Sequence, residues 1–212
     1  MGRYARLEKL SAEHHAAGLH AAFAGPEELW EFMPWGPFPS EDDFRDWVAS
    51  YEANPDFCYY AICDALSGAP LGKASLMRIN PAHGVIEVGG ITYAPALQKK
   101  PAATEAMMLM MRWAFENGYR RHEWKCNALN LPSRRAAQRL GFSYEGTFRQ
   151  HMVVKAKNRD TAWFAITDKE WPELSAAYDT WLSADNFDAD GNQIQRLSAL
   201  TAPHRVASDP MI

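Results

Sequence analysis

The chain has 212 residues, 47% of them hydrophobic and 23% charged, with a net charge of −4. That length is enough to bury a full core, and the composition excludes a disordered or fibrous chain. The acidic balance excludes a surface that coats nucleic acid, so any anion site here has to be local.

Taken in chain order, the sequence alternates strand and helix signals. Arg3 to Leu10 reads as a first strand. Ser11 is the expected N-cap of a helix running to Phe23, with Glu13 near the capping-box position. Gly25 to Pro39 is rich in Pro, Gly and aromatics, including Trp30, Phe32, Trp35 and Phe38, and Ser40 opens a helix to about Tyr51. Phe57 to Asp64 and Pro70 to Ile79 are expected strands joined by a turn at Ser67-Gly68. His83 to Tyr93 is the next strand, followed by a helix from Ala102 to Asn117 whose Met107, Met108, Met110 and Met111 are expected to pack on the sheet. Arg121 to Asn127 is a further strand, and Asn130 to Leu140 is a helix stopped by Gly141. Phe142 to Lys155 and Asp160 to Ile166 read as a hairpin turning at Lys157-Asn158. A helix from Glu170 to Ser183 and a polar tail complete the chain. The expected fold class is α+β (α/β): one mixed, mostly antiparallel twisted sheet with a central βαβα segment and helices on both faces. The domain is expected over 1–182, with a tail over 183–212.

Cys58, Cys63 and Cys126 form no CxxC pair and leave an odd count, which points to a reduced, cytoplasmic chain. The N-terminus has no apolar signal core, and no apolar run reaches about 18 residues, so no membrane association is expected. His83 and His122 lack metal-ligand spacing. Asn186 to Gly191 looks like part of a calcium loop, but Leu197 stands where the bidentate glutamate belongs, so it reads as a turn and no metal is expected.

The most informative stretch is Gln98-Lys99-Lys100-Pro101-Ala102-Ala103-Thr104-Glu105. A basic turn from a strand into a helix N-terminus gathers backbone N–H groups on an anion, and the helix dipole favours a phosphate there. The amides of Lys99, Lys100, Ala102, Ala103 and Thr104 are the candidate donors. Pro101 supplies none, yet its fixed φ suits a first helical turn. A bare proline-started helix with solvated lysines is the structural alternative.

These residues resemble the pyrophosphate loop of the GNAT acyltransferases, Gln/Arg-x-x-Gly-x-Gly/Ala, with Pro101 in place of the central glycine. Downstream, Asn127 to Phe142 resembles the family's Asn-x-x-Ser … Leu-Gly-Phe segment. Glu145-Gly146-Thr147-Phe148-Arg149 and Asn158-Arg159-Asp160 before Trp163-Phe164 are similar to the ribosomal-protein N-terminal (Rim-type) branch. The resemblance spans roughly Arg3 to Trp171. It implies an acetyl-CoA-dependent N-acetyltransferase acting on a protein N-terminal α-amine or a small-molecule amine by direct attack in a ternary complex. A catalytically weak acyl-CoA-binding or sensor module is the second reading. Acetyl-CoA and an amine-bearing acceptor are the implied partners, and a homodimer is left open.

The resemblance also assigns roles. Gln98, Lys99, Lys100, Ala102, Ala103 and Thr104 would hold the pyrophosphate. Gly90 and Ile91 would flank the pantetheine, with Gly89-Gly90 suited to a β-bulge whose N–H polarises the thioester. Asn130 would bond the pantetheine arm as well as cap its helix, and Ser133 would face the sulfur. Many members carry a tyrosine acid where Ala137 stands, so Ser133 or an ordered water would protonate the thiolate. Glu87, on the strand before the loop, is the candidate base; its structural alternative is an ion pair with a nearby Arg or Lys. Cys126 lacks a His-Asp arrangement and reads as a structural thiol. Trp35, Phe38, Arg149 and His151, with Glu87, are the candidate acceptor contacts; for the aromatics a hydrophobic mini-core is an equal alternative. An α-amine loses its proton more readily than a lysine by about 2.5 pKa units, roughly 3.4 kcal/mol, which favours an α-amine acceptor.

Overall fold

The protein's structure, a computed structural model, describes residues 1–212. The first half contains β1 (Ala5–Lys9), α1 (Ala12–Ala22), α2 (Glu41–Glu52), β2 (Phe57–Asp64), β3 (Pro70–Asn80) and β4 (Val85–Tyr93). Then follow α3 (Pro101–Glu116), β5 (Arg121–Asn127), α4 (Leu131–Arg139), β6 (Ser143–Val154), β7 (Lys157–Thr167), α5 (Trp171–Leu182) and α6 (Leu197–Thr201). The strands form one open mixed sheet in the order β1-β2-β3-β4-β5-β7-β6, the α+β architecture expected from the sequence. No helix is long and apolar enough to cross a membrane. The chain divides into two compact units: residues 1–79 with 87–110, and residues 80–86 with 111–212.

In the first unit β1 pairs antiparallel with β2 from Ala5↔Asp64, and β2 pairs antiparallel with β3 from Phe57↔Met77. Leu19, Phe23, Trp30, Phe44, Val48 and Tyr59 form its apolar centre. Burial of such side chains stabilises a fold by about 1.5–3 kcal/mol each. Ser40 caps α2 by accepting from the Asp43 N–H at 3.1 Å. Ser11 does not act likewise. Its side chain makes no cap bond; its own N–H donates to His15 Nδ1 at 3.0 Å, and Glu52 Oε2 takes the Ala12 N–H at 2.8 Å. Ser11 still stands at the N-cap, and a buried ring one turn on satisfies its N–H. The first strand is latched by Glu105, whose carboxylate accepts the N–H groups of Arg3, Tyr4 and Ala5 at 2.8, 2.6 and 2.7 Å.

In the second unit β5 pairs with β7 from Arg121↔Thr167, and β6 pairs with β7 through two register shifts. Asn130 Oδ1 caps α4 by accepting from the Ser133 N–H at 3.0 Å. Gly141, with φ 93, ends it: the Phe142 N–H reaches Ala137 O and the Gly141 N–H reaches Gln138 O, a Schellman closure. The hairpin turns two residues earlier than expected, at Lys155 and Ala156 (φ 49 and 59), because Val154↔Lys157 is its last paired step. Strand register has overridden the local turn preference of Asn158. The segment after α5 docks on α4. Thr201 Oγ1 donates to Arg139 O at 3.0 Å, and Arg205 Nη1 donates to Gln138 O at 2.8 Å. Asp188 Oδ1 accepts the N–H groups of Asp190 and Asn192, the closed turn that the sequence suggested there.

Candidate active site

In the first unit, within the Gly89-Gly90 step on β4, Gly90 has φ 61. A Cβ there would also stand 2.5 Å from the Tyr59 hydroxyl, so glycine is required both for conformation and for space. Two β3 side chains take the adjacent carbonyls: Ser75 Oγ donates to Gly89 O, and Lys73 Nζ donates to Gly90 O, both at 3.1 Å. Glu87, two residues before Gly89, is buried, and Arg78 Nη1 donates to its Oε1 at 2.7 Å. The arginine partner required by the structural alternative is therefore present.

Lys73 is fully buried and lies over three rings, with Nζ 4.5 Å from the Trp47 centroid, 5.0 Å from Trp35 and 5.2 Å from Tyr59. Burial pushes its ammonium down to about 7. The hydroxyl of Tyr59 and the indole N–H of Trp35 are buried here without hydrogen-bond partners. Sequence reasoning passed over Lys73. The signal was a single ionisable residue inside the run Leu71-Gly72-Lys73-Ala74-Ser75-Leu76.

The loop keeps a left-handed step at Lys99 (φ 61), two residues before Pro101, which opens α3. Gln98 Nε2 donates to Tyr93 O at 3.2 Å and ties the loop to the end of β4. The expected donors are not equivalent. The Lys100 N–H already reaches Leu97 O at 3.2 Å, and the Ala103 N–H reaches Lys100 O at 3.1 Å. The N–H groups of Lys99 and Ala102 are not used in this way, and Lys99 and Lys100 are exposed beside them. Thr104 is buried in the first turn. Ile91, half-buried, follows the Gly90 step on β4.

In the second unit Asn130 spends its carbonyl oxygen on the cap, which leaves its Nδ2 group as the side chain's donor. Ser133 Oγ accepts from Trp124 Nε1 at 3.1 Å, so the hydroxyl proton is directed elsewhere. Cys126 is buried, and that burial pushes its thiol up to about 11, which suits a structural rather than a nucleophilic role. Ala137 is fully buried.

Trp35 packs on Trp47, Tyr51 and Tyr59, and Phe38 on Trp30, Phe44 and Trp47, at centroid distances of 5.2–6.4 Å. Both remain half-buried members of the aromatic cluster of the first unit. In the second unit Arg149 and His151 are exposed and line an open hollow with Phe148 and Gln150. His151 Nδ1 lies 2.9 Å from Thr161 Oγ1, and Phe148 packs on Trp163 with the rings tilted by 31° and their centroids 4.5 Å apart.

Glu8, His15 and Cys63 bring ligand atoms within 4.8 Å of one another, a grouping that no sequence spacing announced. The His15 Nδ1 lone pair already accepts the Ser11 N–H, so Nε2 carries the proton and donates to Glu8 Oε2 at 3.2 Å. Burial pushes the Cys63 thiol up to about 11. In this arrangement the cluster offers a cation neither a ring lone pair nor a thiolate.

Residues 5–143 match the family model described as acetyltransferase (GNAT) domain. A GCN5-related N-acetyltransferase from Brucella melitensis superposes with a TM-score of 0.93 at 45% identity, covering 95% of this chain and 93% of that one. A probable GNAT-family acetyltransferase from Chromobacterium violaceum gives 0.78 at 44% identity, covering 81% and 87%. RimL, a ribosomal L7/L12 alpha-N-protein acetyltransferase solved in complex with coenzyme A, shares the fold with a TM-score of 0.67 at 20% identity, covering 79% and 96%. No curated protein matches the sequence.

Proposed function

The chain belongs to the GNAT acetyltransferase family, and from that membership we propose that it transfers an acetyl group from acetyl-CoA to a primary amine, a protein N-terminal α-amine or a small-molecule amine, in the cytoplasm. The observation that carries the reading is the loop before α3. Lys99 in the left-handed region and Pro101 at the helix start leave the Lys99 and Ala102 N–H groups without internal acceptors, beside two exposed lysines. That is the chemistry a pyrophosphate requires. Gln98, Ala103 and Thr104 complete the segment.

The pantetheine and thioester are assigned to Gly90 and Ile91, and the Asn130 Nδ2 donor to the pantetheine amides. The acceptor amine gives its proton to Glu87, directly or through water, and its nitrogen attacks the thioester carbon. The C–S bond then breaks, and the thiolate takes a proton from water, directly or relayed through the Ser133 hydroxyl, which regains its own from that water, since Ala137 can supply none. A thiol near pKa 8.5 leaves with little help. Trp35, Phe38, Arg149 and His151 are the acceptor contacts in this reading. A second reading, a weakly catalytic acyl-CoA sensor, is favoured by Ala137 alone.

Thiol release measured across a panel of amines and peptides separates the two. Acetyl transfer to at least one acceptor, reduced about 100-fold or more in Glu87→Gln, is expected. Background hydrolysis with every acceptor would leave the sensor, and activity unchanged in Glu87→Gln would remove the base assignment.

A further inference from the structure

Lys73 stands out among the buried groups that the proposed chemistry does not use. An ammonium-bearing chain is enclosed by Trp35, Trp47 and Tyr59, and the hydrogen bond it makes is to Gly90 O at 3.1 Å. Burying such a group costs far more than burying a methionine of the same length, so packing alone does not account for it. What the amine does is fix one carbonyl. In a trans peptide the C=O and the following N–H point in opposite directions. Holding Gly90 O toward Lys73 therefore turns the Ile91 N–H away from the cage. Ser75 treats the preceding peptide in the same way, holding Gly89 O at 3.1 Å and turning the Gly90 N–H away from its own hydroxyl. The left-handed step at Gly90 (φ 61) is the conformation these two bonds maintain.

We propose that Lys73 is a positioning residue for acyl transfer, which aims the Ile91 N–H at the acyl thioester by holding the Gly90 carbonyl inside the aromatic cage. The inference rests on the acetyltransferase reading and on the thioester lying along Gly90 and Ile91. Lys73 itself touches no substrate. Its effect passes through one peptide plane, with Ser75 as a second and weaker hold. An N–H aimed where charge develops on a carbonyl oxygen lowers the barrier without tightening the ground state.

The test uses the full chain with [1-13C]acetyl-CoA bound and no acceptor, read by isotope-edited infrared spectroscopy, alongside steady-state kinetics. In the unsubstituted protein the thioester carbonyl band is expected below its free frequency. In Lys73→Met it returns toward the free value, and kcat falls about tenfold or more while KM for acetyl-CoA stays within about threefold. An unchanged band and kcat in a folded Lys73→Met protein would overturn the proposal. If Lys73→Met does not fold by circular dichroism, Ser75→Ala carries the test: a smaller shift in the same direction supports the positioning role, and no shift overturns it. Failure of the unsubstituted protein to bind acetyl-CoA overturns the acetyltransferase reading itself and shows as the absence of any bound band.

Discussion

Asp209 closes on Arg134 from 75 residues away, with Arg134 Nε 2.6 Å from Oδ2 and Nη2 2.5 Å from Oδ1, both side chains almost wholly buried. The pair fastens the end of the chain to α4, the helix that carries Ser133 behind its Asn130 cap. Asp209→Ala would strand a buried guanidinium, and a loss of about 3–5 kcal/mol is expected in urea unfolding. The pair also holds the Asp209 carboxyl below its usual range, through the arginine and the Met211 N–H working against burial. Its contribution is therefore fully present above the ordinary aspartate value and is lost as pH falls below that value through the depressed native one.

His122 gives a second, separable acid sensitivity. It is fully buried on β5 between Phe115 and Phe142, its ring nitrogens have no partners, and burial pushes it down to about 3. Between that value and the ordinary 6.5 the unfolded chain binds a proton that the folded chain refuses. Stability is thus full above about 6.5 and drops on acidification by up to about 1.4 kcal/mol per pH unit. Urea midpoints at pH 7, 6 and 5 should fall in step, and the fall should be shallower in His122→Leu.

The missing tyrosine cannot simply be restored. Ala137 has no exposed surface, and its carbonyl accepts the Phe142 N–H of the helix closure. Ala137→Tyr is expected to cost about 1–3 kcal/mol by overpacking and to bring no gain in kcat. Thermal unfolding and thiol release on the same preparation check both halves.

Lys99 and Lys100 are exposed, so their charges act through water. Each alanine substitution should weaken acetyl-CoA binding roughly two- to fivefold. Raising salt from about 0.05 to 0.5 M should weaken the unsubstituted protein more than the double variant, because screening removes what the substitutions have already removed. Calorimetric titration at the two salt levels measures this.

Local signals were legible in the sequence where local chemistry decides. The strand Arg121–Asn127 and the α4 stop at Gly141 needed only alternation and a residue free to adopt positive φ. What was not legible depended on partners far along the chain. Ser11 does stand at the N-cap of α1, but that its hydroxyl makes no cap bond, with His15 and Glu52 accepting the Ser11 and Ala12 N–H groups, could not be read there, and the hairpin followed the β6–β7 register rather than Asn158. The polar tail gave no hint that Asp209 had a buried partner. Glu87 offered two readings, and only the fold could supply the Arg78 of one of them. Lys73 was legible in principle, as a charge inside an apolar strand, but its cage is assembled from Trp35, Trp47 and Tyr59 on other segments.

Pro101 has a consequence beyond its missing N–H. Its ring fixes φ in the unfolded chain as well as at the start of α3, so little freedom is left there to lose on folding or on binding. A glycine at the same place would carry that loss into the encounter with the ligand. Proline exchanges one amide donor for a loop that is ordered before coenzyme A arrives, and binding should show a smaller entropic penalty than in a Pro101→Gly variant.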